Sequence, residues 1–117
     1  MITDEQLKFL EEDRSARYAE WLKADQKAFA SRMKNRKAER AFKDADEKER
    51  YDKRDLLKAD PVLGGFMVKQ TIHPLWQAWC DAEDEMIAAE SESKQAAIRV
   101  DEVIKRIEIY KIAVGLV

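Results

Sequence analysis

The second half of the chain carries a stripe of apolar or small residues that repeats in alternating steps of four and three. Its members are Leu75, Trp79, Ala82, Met86, Ala89, Ser93, Ala96, Val100, Val103, Ile107, Tyr110, Val114 and Val117. Ser93 is the one polar residue among them and none is charged, although Asp, Glu, Lys and Arg make up 39% of the protein. A mean spacing of about 3.5 residues keeps one face of a helix against a partner helix. The stripe therefore predicts a long helix with coiled-coil-like packing.

The helix boundaries follow from capping and helix-breaking residues. Thr3 and Gln6 have the spacing of a capping box, and no Pro or Gly follows until Pro61, which predicts a first helix from about residue 4 to 57. Pro61, Gly64 and Gly65 predict an apolar connecting loop over about 58–73. Pro74 then suits the beginning of a second helix over about 74–114.

These elements predict one all-α domain over residues 1–117, an elongated antiparallel helical hairpin made of a long helix, an apolar loop and a second long helix. If the loop closes tightly, the position numbers of facing residues should sum to about 132. A lone hairpin buries only one stripe on each helix, so we expect a third helical layer. A break near Asn35 would give a three-helix bundle, and a second copy of the chain would give a four-helix bundle. We favour the oligomer because residues 34–55 contain few large apolar side chains.

The overall charge is nearly balanced. Twenty-four acids against twenty-two bases give a net charge of −2, so no global field attracts nucleic acid or an anionic membrane. The single cysteine, Cys80, cannot form an intrachain disulfide, and no apolar run is long enough to span a bilayer. We expect a cytoplasmic protein, or one in a particle assembled in the cytoplasm, with no secretory signal.

Chemistry-bearing residues are sparse. His73 is the only histidine, and no Ser or Cys nucleophile lies near it in a recognisable motif. The acidic run from Asp81 to Glu92 lacks the Glu-x-x-His pairs of a di-metal helical bundle. We therefore expect no enzyme, catalytic residue, metal, cofactor or small-molecule substrate.

The apolar surface of the second helix widens toward its end, where a monomer would struggle to hide it. We therefore predict a protein interface there, together with the tryptophan pair at the start of the helix. The predicted interface residues are Trp76, Trp79, Val100, Val103, Ile104, Ile107, Tyr110, Val114, Leu116 and Val117.

A basic segment lies in the first helix. Its cations are Arg32, Lys34, Arg36, Lys37, Arg40 and Lys43, and residues 32–58 as a whole carry eleven bases against seven acids. Such a cluster is a candidate for nucleic-acid contact. The alternative, which we prefer, is that it pairs with the acidic run 81–92 of the same hairpin.

The leading hypothesis is a non-enzymatic assembly protein that self-associates or docks in a larger complex, as a component of a phage or viral particle would. The second hypothesis is a nucleic-acid-binding accessory protein that uses residues 32–43. The third is an inhibitor or adaptor that presents its acidic face, Asp81 to Glu92, to a host protein.

Overall fold

A computed structural model describes residues 3–115, and these are all-α with no strand among them. Three helices follow in order: α1 spans Asp4–Asp52, α2 spans Arg54–Ala59 and α3 spans Pro61–Ala113. The predicted capping box begins α1, because Gln6 N–H donates to Thr3 Oγ1 and Thr3 N–H donates to Gln6 Oε1. The first helix is continuous through Asn35, so the three-helix alternative is wrong.

The chain forms two compact units, and each contains part of α1 and part of α3. The first unit comprises residues up to Phe29 and from Ala88 onward, and the second comprises Ala30–Ile87. Within each unit the α1 segment packs against an α3 segment of opposite direction. The prediction of an antiparallel helical hairpin is confirmed.

The predicted stripe is the seam of the hairpin. Ala82, Ala89, Ala96, Val103 and Ile107 are buried, while Trp79, Met86, Ser93, Val100 and Tyr110 are half-buried. Leu75 and Val114 are more exposed, and Val117 lies outside the described residues. The seam also extends backward, because Ile72 and Val68 are buried one and two turns before Leu75.

The predicted loop over 58–73 is wrong, since residues 61–73 belong to α3. Pro61 occupies the first helical position, where a backbone N–H would form no hydrogen bond within the helix, so the lack of an N–H in proline costs nothing. Asp60 caps that end, because its Oδ1 accepts a hydrogen bond from Leu63 N–H at 3.1 Å. Pro74 accordingly lies inside α3 and does not begin it.

The shorter connection also changes the register. Lys27 faces Glu92 and Lys34 faces Glu85, so the position numbers of facing residues sum to 119 and the predicted 132 is wrong. The difference arises because the chain turns at Ala59 and Asp60, well before the middle of the expected loop.

Candidate protein interface

Three of the predicted interface residues pack with Leu10 of α1 in the core of the first unit. Val103 and Ile107 are buried with Leu10 in the core of the first unit, and Tyr110 packs against that cluster. Val100 is half-buried in the same seam. These side chains are therefore occupied by the hairpin itself and offer little surface to a second chain.

The two tryptophans differ in their surroundings. Trp79 is half-buried, and its ring lies 5.4 Å from the ring of Phe42 across the seam of the second unit. Trp76 is 44% exposed and stacks on His73, with the ring centres 5.6 Å apart. Of the pair, Trp76 is the one available to a partner.

The end of α3 keeps part of the predicted apolar surface. Ile104 and Val114 are about two-fifths exposed, and Ile109 and Ile112 are more exposed still. Leu116 and Val117 lie outside the described residues. This end of the helix therefore remains a candidate contact region through residues that the hairpin does not cover.

A second apolar stripe lies on the outer surface of α1, and sequence reasoning did not separate it from the core. Tyr18, Leu22 and Phe29 are 50%, 40% and 60% exposed, whereas Trp21 between them is half-buried in the seam. The rings of Tyr18 and Trp21 lie 5.5 Å apart. The spacing of four and then seven residues is itself a helical pattern that the sequence contains.

The opposite flank of the first unit is charged. Lys27 Nζ lies 3.2 Å from Glu92 Oε2, and Arg99 Nη1 lies 4.0 Å from Glu20 Oε2. Each of these four residues directly precedes a seam position on its helix. Residues that pair in this way on antiparallel helices favour one register and one orientation over the alternatives.

A groove of about 410 Å³ opens on the second unit between α1 and α3. Phe42, Ile72 and Trp76 supply its apolar lining, and Asp46, Arg50, Lys69 and His73 supply polar groups. Arg50 Nε donates to Asp46 Oδ1 at 3.0 Å, so one of the two cations is already paired within the helix.

The basic segment 32–43 is partly neutralised by the hairpin. Lys34 Nζ lies 2.8 Å from Glu85 Oε2, and Lys43 Nζ lies 2.6 Å from Glu39 Oε1. With the corrected register, this segment faces residues 76–87, which contain the first acids of the run 81–92. Among the described residues, Arg36, Lys37 and Arg40 are exposed and form no ion pair.

The described residues contain no cluster of three His, Cys, Asp or Glu side chains arranged to hold a metal ion. Lys105 donates a hydrogen bond to Asp101, 3.0 Å away, and this bond raises the pKa of Lys105. Cys80 is a half-buried free thiol. No helix within residues 3–115 combines the length and apolarity needed to cross a membrane.

No protein-family model matches this sequence, and comparisons with curated proteins and with solved structures return no significant match.

Proposed function

We propose that this chain is a non-enzymatic assembly protein whose copies associate with one another. The observation that carries the proposal is the imbalance between buried and exposed apolar side chains. Among the described residues nine apolar side chains are buried, and four of these are alanines, whereas eighteen large ones are exposed. Monomeric proteins rarely expose contiguous apolar patches larger than a few hundred Å², and eighteen exposed large apolar side chains provide the material for such patches.

The accessible area supports the same proposal. It is 8866 Å² for this 13.6 kDa chain, whereas a compact globular monomer of that mass exposes about 6,600 Å². The excess of roughly 2,300 Å² is larger than the approximately 800 Å² that each partner buries in a standard interface. A single interface therefore fits within the surplus surface.

Sedimentation velocity at micromolar concentration tests the proposal. We expect a species of at least twice the 13.6 kDa chain mass, because association removes apolar surface from water. A mass of one chain at every concentration would overturn it. The cellular setting that we propose is a particle or larger complex assembled in the cytoplasm, where a single free cysteine needs no disulfide partner.

The exposed cations Arg36, Lys37 and Arg40 favour a second candidate function, binding of nucleic acid. We expect retardation of DNA or RNA at low salt that weakens steeply as salt is added. Replacing all three with Glu should abolish it. Replacing the exposed Lys8, Lys23 and Lys48 with Glu changes the net charge equally and should leave most of the binding. Absence of retardation at low salt contradicts this function.

A further inference from the structure

We infer that two copies of the chain pair through Tyr18, Leu22 and Phe29 on α1, with Leu22 at the two-fold axis. This inference rests on the proposed self-association and names the surface that performs it. The three side chains are each at least two-fifths exposed and lie on one side of the helix. Tyr18 and Phe29 are eleven positions apart, which is about 16 Å along the helix axis.

The flank of the first unit opposite Tyr18 and Leu22 is poorly suited to such a contact. It carries the ion pairs of Lys27 with Glu92 and of Glu20 with Arg99. Covering these four side chains with a second chain would remove charged groups from water, which costs free energy without new partners.

The α3 segment of the first unit widens this apolar flank. On α3, the ion-pair residues Glu92 and Arg99 directly precede seam positions. The residues directly after the seam positions Ala96 and Val103 therefore lie on the opposite flank of this helix. These are Ala97 and Ile104, and Ile104 is 37% exposed. Two hairpins joined here bring four helices together, the layer that a lone hairpin lacks.

The self-complementarity of the stripe favours a second copy of this chain as its occupant. A two-fold axis at Leu22 places Leu22 against its own equivalent and Tyr18 against Gln26 of the partner subunit. Neither pair opposes like charges, and a Tyr hydroxyl and a Gln amide can exchange a hydrogen bond. An isologous interface requires this kind of self-complementarity.

The other long apolar stripe fails the same requirement. Val62, Phe66 and Trp76 are exposed on α3 of the second unit, but Lys69 lies at the midpoint of that stripe. A two-fold axis there would place the Lys69 ammonium groups of two copies against each other. Like charges in direct opposition disfavour association. The α1 stripe is therefore the better surface for self-pairing.

Disulfide cross-linking of the full chain tests the position of the axis. In a Cys80→Ser background, Leu22→Cys should give a covalent dimer with oxidised glutathione as the oxidant, because the two thiols meet at the axis. The matched control is Lys23→Cys, which lies one residue farther along the helix and points away from the stripe. Equal cross-linking of the two variants would overturn the inference.

Sedimentation velocity of substituted chains distinguishes a failure of the proposed surface from a failure of the proposed self-association. Leu22→Asp should reduce the species to one chain mass while the helical circular dichroism is retained, and Phe66→Asp should leave the oligomer intact. If Leu22→Asp remains oligomeric, the surface is wrong and the proposed self-association stands. If the unsubstituted protein is already monomeric, both proposals fail. Loss of the oligomer in Phe66→Asp alone would move the interface to α3.

Discussion

Gly64 is buried where α3 begins, and its missing side chain allows α2 to lie close. A Cβ atom at this position would lie 2.9 Å from Leu57 Cδ2 and 3.0 Å from Leu57 Cα. The second distance involves backbone, which cannot move aside as a side-chain methyl can. By contrast, a Cβ at Gly65 would have no heavy atom within 4 Å. Two adjacent glycines in the same helix therefore have different roles.

We expect Gly64→Ala and Gly65→Ala to change stability in opposite directions. Alanine is favoured over glycine in a helix by about 0.5–1 kcal/mol, and Gly65→Ala should gain that amount. Gly64→Ala should lose about 1–2 kcal/mol, because overpacking against Leu57 outweighs the helix preference. Urea unfolding of both variants at one protein concentration measures the difference. A stabilised Gly64→Ala variant would show that α2 shifts freely away from α3.

At the scale of the helices, the ion pairs across the seam bear on register more than on stability. The side chains of Lys27 and Glu92 are both more than half exposed, and an exposed pair contributes about 0.2–1 kcal/mol. The alternating charges instead favour one pairing of α1 with α3. A helix slipped by one heptad would place Lys27 near Arg99, a like-charge contact.

The pair can be tested by a double-mutant cycle. Lys27→Glu alone should destabilise the hairpin by up to about 1 kcal/mol, since it opposes two carboxylates, and Glu92→Lys should do the same with two ammonium groups. The double substitution restores an opposite-charge pair and should recover most of the loss. Urea unfolding of the four proteins gives the coupling energy. A double variant less stable than either single variant would contradict the register assigned to α1 and α3.

The seam could be predicted from the sequence because it depends on one repeating property, apolar or small residues at a spacing near 3.5. The connection could not be predicted, because Pro61 and Gly64 are each compatible with two different local structures. Pro61 breaks a helix from within but begins one after Asp60, and Gly64 can mark either a turn or a close helix contact. Only the position of Leu57 decides between those meanings. Because the connection was predicted to be too long, the predicted register of the two helices was wrong as well.

The interface residues were harder to predict for a related reason. A stripe of apolar residues identifies a packing surface but not the chain that covers it. Val103 and Ile107 are covered by α1 of the same chain, while Leu22 has the same hydrophobic character and stays exposed. To distinguish covered from exposed apolar residues, one must know the direction in which each side chain points around its helix. The charged residues on the opposite flank indicate that direction only after the two helices have been paired.

At the scale of the whole molecule, association and folding should be coupled. The buried apolar side chains include only five larger than alanine, namely Leu10, Val68, Ile72, Val103 and Ile107. With so few large buried side chains, the hydrophobic contribution to the stability of a chain of this length is small compared with the conformational entropy that folding costs. Self-association would bury further apolar surface and would require the folded state, so it would stabilise that state by mass action.

Thermal unfolding should therefore depend on protein concentration. We expect the midpoint of the unsubstituted protein to rise with concentration, because unfolding releases separate chains. Leu22→Asp should unfold at a lower midpoint that does not change with concentration, since its copies no longer pair. Ile107→Asp should lose helical structure at all concentrations, because it places a charge in a site that is only 4% exposed. Circular dichroism melts over a wide concentration range measure all three. A midpoint independent of concentration in the unsubstituted protein would mean that the hairpin reaches its stability as a single chain.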